Sequence, residues 1–103
     1  MKGNHSTNVR VVARDSIVLL RNDGSTLPLS RLDSLAIIGS AAVPNPAGVN
    51  SCPDRGCDIG ALGIGWGSST TDYPYLVAPY DAINARAGTE GTNITLSATD
   101  DPT

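Results

Sequence analysis

Ser34-Leu35-Ala36-Ile37-Ile38-Gly39 is the stretch that sets the fold class. It is a short apolar run with two isoleucines, closed by a glycine. It is too short for a stable helix. Its length and β-branched content predict a buried strand, parallel to its neighbour and covered on both faces. Downstream, Asn93-Ile94-Thr95-Leu96-Ser97-Ala98 alternates apolar and polar residues and predicts a second strand. Between them, residues 76–87 read as a helix, with Pro79 in the first turn. Tyr80, Ile83 and Ala87 share one face of it, and Gly88 follows as the stop. Strand, long loop, helix and strand make one βαβ crossover, which places the two strands parallel. Two strands cannot cover both their faces and are marginal alone. The expected fold class is therefore α/β, an incomplete piece of a parallel-sheet domain.

Upstream, residues 7–21 predict an amphipathic helix, with Ser6 or Thr7 as N-cap. Val9, Val12, Ala13, Ser16, Ile17 and Leu20 line its apolar face, and Asn22-Asp23-Gly24 is its stop. Leu27-Pro28-Leu29 reads as an extended connector, because proline cannot continue a helix. Composition narrows the function classes. The 103 residues carry a net charge of −3, which argues against sequence-independent nucleic-acid binding. There is no apolar run long enough to cross a membrane. Residues 1–6 lead into no apolar segment, so no secretory leader is read. Eleven Gly, seven Pro and no Phe leave few large side chains for a core.

The long segment 40–71 holds the residues with chemical potential. An ordered loop of that length inside a compact domain is generally functional. Cys52 and Cys57 lie close together in it. A short-range disulfide leads, worth roughly 2 kcal/mol for so small a ring. Free thiols and a metal site compete, although zinc takes four ligands and His5 is the only histidine. Gly63-Ile64-Gly65-Trp66-Gly67-Ser68-Ser69-Thr70 is glycine-dense but lacks the lysine of a phosphate loop, and it does not follow directly on a strand. Trp66 could stack on an apolar face and Ser68 could hydrogen-bond a hydroxyl; a tight structural turn is the plainer reading. No pair of carboxylates is spaced as an acid/base couple, and a lone terminal histidine argues against a Ser-His-Asp triad. Asn93-Ile94-Thr95 and Asn4-His5-Ser6 match the N-glycosylation sequon.

Together these segments resemble one family. Residues 14–24 (Arg-Asp-Ser-Ile-Val-Leu-Leu-Arg-Asn-Asp-Gly), Leu27-Pro28-Leu29 and Leu35-Ala36-Ile37-Ile38-Gly39 are similar to the domain junction of family 3 glycoside hydrolases. The likeness continues through Pro44-Asn45-Pro46, Cys52 to Cys57, Gly65-Trp66-Gly67-Ser68 and Tyr73-Pro74-Tyr75, in the manner of fungal secreted β-glucosidases. The resemblance implies three parts: residues 1–24 as the closing helix of an upstream barrel domain, 25–33 as a linker, and 34–103 as the N-terminal part of an α/β sandwich domain. It also implies retaining hydrolysis of terminal β-D-glucosyl residues, as in cellulose breakdown, through an Asp nucleophile and a Glu acid/base. Both would lie outside these 103 residues, and Glu90 does not occupy the acid/base context. No catalytic residue, metal or cofactor is therefore expected in the chain.

What carries over is substrate binding. Ser68 would contact the non-reducing-end sugar, with Trp66 and Gly67 shaping its loop. The implied partners are a β-glucoside or cello-oligosaccharide and the rest of the enzyme. The alternative is a non-catalytic carbohydrate- or partner-binding protein built on the same segment. Two departures from the family bear on structure. Ser69 stands where a glycine is usual, and Ala78 where a threonine caps the next helix, a loss of about 1 kcal/mol at the helix start.

Overall fold

The computed structural model describes residues 3–53, 58–64, 67–68 and 70–101. The chain divides into two units, Met1–Ser30 and Arg31–Thr103.

The first unit carries helix α1, His5–Asp15. It starts two residues before the expected Thr7 and stops six before the expected Arg21. Ser16 is the C-cap: its N–H donates to Val12 O at 3.0 Å and its Oγ to Ala13 O at 2.9 Å. A serine hydroxyl that turns back on the helix competes with the next turn, and the β-branched pair Ile17-Val18 is a poor continuation. Ile17 to Leu20 therefore run on without regular structure, exposed from 59% at Leu19 to 92% at Leu20. No residue of α1 is buried. Beyond it, the connector is closed by a side chain. Asn22 Nδ2 donates to Leu27 O at 2.8 Å and Asn22 Oδ1 accepts from Leu27 N at 2.9 Å, bridging the 3-10 turn Asp23–Ser25.

The second unit carries strands β1 (Ser34–Ile38) and β2 (Asn93–Ser97), with helix α2 (Pro79–Glu90) in the connection between them. The strands pair in parallel, Leu35 opposite Ile94 and Ile37 opposite Leu96. The pairing runs past both strand ends: Asn93 N donates to Asp33 O at 3.0 Å, and Gly39 N to Ser97 O at 2.9 Å. Leu35, Ile37, Ile94 and Leu96 form the half-buried face. The opposite face is exposed, Ile38 by 75%. The expectation that β1 is covered on both faces is thus corrected. The alternation of β2 makes one apolar face, and α2 packs on β2, but no second layer lies over Ala36 and Ile38 among the described residues.

α2 begins and ends differently from its sequence reading. It starts at Pro79 rather than Leu76, because Ala78 is extended (ψ 158°). Ala78 has no side-chain acceptor for the helix, so only half of a capping box exists: Asp81 Oδ2 accepts from Ala78 N at 3.3 Å. The helix passes through Gly88 and ends at Gly91, whose φ of +74° is the left-handed conformation glycine tolerates best. Thr92 N then reaches back to Ala87 O at 3.1 Å, and β2 starts one residue later. Among the described residues the buried ones are small, Ala42, Ala78 and Ala87, with Ala78 fully buried. Ala42 ends the 3-10 turn Ser40–Ala42, which packs on α2.

Candidate functional site

The site region is the connection between β1 and α2. It leaves β1 through Ser40, whose backbone N–H donates to Asp100 Oδ1 at 2.8 Å and whose Oγ donates to Asp100 Oδ2 at 2.5 Å. One carboxylate thus ties the exit of β1 to the exit of β2. The Ser40 hydroxyl first, and its N–H second, hold the Asp100 carboxyl below the ordinary carboxylate range. The stabilisation this gives is complete above that ordinary range, near pH 4, and is lost as pH falls through the lowered pKa. Ser40→Ala should raise the pKa of Asp100 toward its ordinary value, visible as a shifted carboxyl carbon titration by NMR. An unshifted titration would count against the clamp.

Beyond the clamp the chain folds back on itself. Ala61 N donates to Val43 O at 2.7 Å, bringing residues 60–61 against 43–45. Asn45 Oδ1 accepts from Ala47 N at 2.9 Å, and Ser51 Oγ donates to Gly48 O at 2.7 Å, rounding the turns between. Asn50 then reaches across the loop. Its Nδ2 donates to Tyr73 O at 2.8 Å and its Oδ1 accepts from Tyr73 N at 2.7 Å, so one amide side chain acts as a strand partner for Tyr73. A cavity of about 20 Å³, the size of one water molecule, lies among Asn45, Ile59, Gly63, Tyr73 and Leu76. The Tyr73 hydroxyl is buried there with no hydrogen-bond partner among the described residues.

Ser68 is exposed at the tip of a tight turn. Both the N–H and the Oγ1 of Thr70 donate to Gly67 O, at 3.1 and 2.7 Å, and close that turn around it. Gly67 is exposed as well. Trp66 and Cys57 lie outside the described residues. Cys52 is half-buried, accepts a contact from Asn45 Nδ2 at 3.5 Å, and is not a free thiol. Asn93 heads β2 with its residue exposed, far along the chain from the Ser68 turn. Among the described residues, no group of three or more His, Cys, Asp or Glu side chains could hold a metal ion. Glu90 ends α2 and pairs with Arg86 on the helix surface. The arrangement therefore offers a hydroxyl on a braced turn, suited to hydrogen bonding a polar ligand.

Sequence reasoning did not find the Asp100 and Asn50 clamps. Asp100 sits in a polar tail that reads as solvated, and its partner is sixty positions away. A lone asparagine in a loop likewise carries no periodic signal. Only the topology that brings the two strand ends together reveals the first.

With this geometry in place, comparison with known proteins gives the class. The chain belongs to the glycosyl hydrolase family 3 C-terminal domain family, which matches residues 17–102. It is 62% identical over 100 residues to β-glucosidase cel3A of Pyricularia oryzae, covering 97% of this chain and 14% of that protein. It is 62% identical over 99 residues to probable β-glucosidase L of Aspergillus fumigatus, covering 96% of this chain and 13% of that protein. Among solved structures, β-D-glucoside glucohydrolase from Trichoderma reesei superposes with a TM-score of 0.84 at 58% identity, over 97% of this chain and 14% of that one. β-Glucosidase D2-BGL from Chaetomella raphigera gives 0.85 at 56%, over the same shares. The chain thus spans about one seventh of the length of these relatives. No helix among the described residues is long and apolar enough to cross a membrane.

Proposed function

We propose that this chain is the domain-junction segment of a β-glucosidase that removes terminal non-reducing β-D-glucosyl units with retention. In this reading residues 1–24 close the barrel domain, 25–33 link, and 34–103 open the α/β sandwich domain. Ser68 hydrogen-bonds the non-reducing-end sugar, and Trp66 and Gly67 shape the loop that presents it. The observation that carries the reading is the exposed Ser68 on a turn closed by Thr70, in a segment whose relatives are named β-glucosidases. Cellulose-derived oligosaccharides are the substrate class, and the setting is extracellular. A Cys52–Cys57 disulfide and glycan attachment at Asn93 fit that setting. Cys52 not being a free thiol, with Cys57 the only other cysteine, supports the first. The exposure of Asn93 supports the second.

The mechanism divides the labour. Double displacement needs two carboxyl groups roughly 5 Å apart across the glycosidic bond. This segment would supply neither; its part is to hold the sugar that they act on. The purified 103-residue chain is expected to release no chromophore from an aryl β-glucoside above the buffer rate. The complete enzyme should do so, and its Ser68→Ala variant should show KM raised about 3- to 10-fold, the value of one hydroxyl hydrogen bond. Turnover by the short chain alone, or an unchanged KM in the variant, would each refute the corresponding claim.

A further inference from the structure

Two residues that flank the Ser68 turn in the chain, Gly63 and Tyr73, lie against each other. On the N-terminal side is Gly63. A β-carbon there would lie 3.0 Å from Tyr73 Oη, 3.1 Å from its Cζ and 3.0 Å from Leu76 Cδ1, so an added methyl would push the ring or the Leu76 side chain back by a few tenths of an ångström. On the C-terminal side is Tyr73 itself, whose backbone N–H and C=O are both taken by the Asn50 side chain at 2.7 and 2.8 Å. Ser68 therefore lies, in chain order, midway between two described residues, Gly63 and Tyr73, that meet at one braced point. The Tyr73 hydroxyl is buried and has no partner among the described residues. Its ring serves here as a packing surface, and the directional hold comes from Asn50.

We infer that Asn50 is a positioning residue for sugar binding: by pinning the Tyr73 backbone, with Gly63 against its ring, it fixes where the Ser68 hydroxyl stands. This rests on the reading of Ser68 as a sugar contact. Holding a binding group in place before the ligand arrives removes an ordering cost from binding. Releasing the loop should then weaken substrate binding without touching the bond-breaking groups, because Asn50 offers nothing to the reacting atoms.

The test uses the complete β-glucosidase and steady-state kinetics on an aryl β-glucoside. Asn50→Ala should raise KM roughly 3- to 10-fold while kcat stays within about twofold, the same signature as Ser68→Ala. Asn50→Asp keeps the acceptor for the Tyr73 N–H but sets a carboxylate oxygen against the Tyr73 C=O, so its KM should rise at least as far as that of the alanine variant. The double variant Asn50→Ala/Ser68→Ala should be no worse than Ser68→Ala alone, since a loop without its hydroxyl has nothing left to misplace. Gly63→Ala disturbs the other flanking residue and should give the same KM signature, again without adding to Ser68→Ala; it decides the matter if the Asn50 variants fail to fold. An unchanged KM in the Asn50 variants, or effects that multiply with Ser68→Ala, would overturn the positioning role while leaving Ser68 in place. An unchanged KM in Ser68→Ala would instead remove the reading on which both stand.

Discussion

Expressed on its own, the 103-residue chain is expected to melt over a broad range with no cooperative transition. Folding must offset roughly 1–2 kcal/mol of backbone entropy for each ordered residue. The main compensation is burial of large apolar side chains, about 1.5–3 kcal/mol for each one fully removed from water. Here the buried residues among those described are three alanines, Ala42, Ala78 and Ala87. In the first unit Ile17, Val18 and Leu20 stay 79%, 74% and 92% exposed. In the second, Ile38 and Val77 stay 75% and 61% exposed. The solved relatives hold the corresponding segment as about 14% of a much longer chain, which fits this shortfall. Calorimetry on the purified chain should therefore give no sharp endotherm. A two-state transition with an enthalpy near 0.7 kcal/mol per residue would contradict the argument.

Within the full-length protein, Gly60→Ala should be the most damaging glycine-to-alanine change among the described residues, costing about 3 kcal/mol or more of stability. Two causes add. Gly60 has φ +77°, where an alanine is strained, and its β-carbon would stand 2.5 Å from Asn45 N, 2.7 Å from Pro44 C and 2.8 Å from Val43 O. Those are backbone atoms, held by the Ala61 N to Val43 O hydrogen bond, and they cannot rotate out of the way. Gly48 provides the comparison. It also has positive φ, +114°, but a β-carbon there meets nothing within 4 Å. Gly48→Ala should lose only the conformational part, about 1–2 kcal/mol. Thermal melts of the two variants should be clearly separated, and equal shifts would mean that the close approach at Gly60 is relieved by movement of the loop.

The parallel strand pair was legible because its signal is local. The apolar run 34–39 and the alternating run 93–98 each carry their period within six residues, and the observed strands depart from them only by their last positions. The helices were legible as helices but not in their limits. At α1 the apolar spacing continues through Leu20, whereas the chain obeys Ser16 and the Ile17-Val18 pair. At α2 two glycines compete as stop, and the one that lets β2 start at Asn93 wins. The Ser68 turn could be located from its glycines, since tight turns select them. What braces it could not: Asn50 and Tyr73 are separated by twenty-three positions, and Ser40 and Asp100 by sixty. Such pairings exist only once the crossover has closed.

The connection from Ala42 to Ala78 has a consequence for how much change this segment can absorb. Its two roots are both small and buried, one in the turn that packs on α2 and the other at the head of α2. A change of length or sequence between those two roots leaves the strand register untouched, because that register is set by the ladder of β1 on β2.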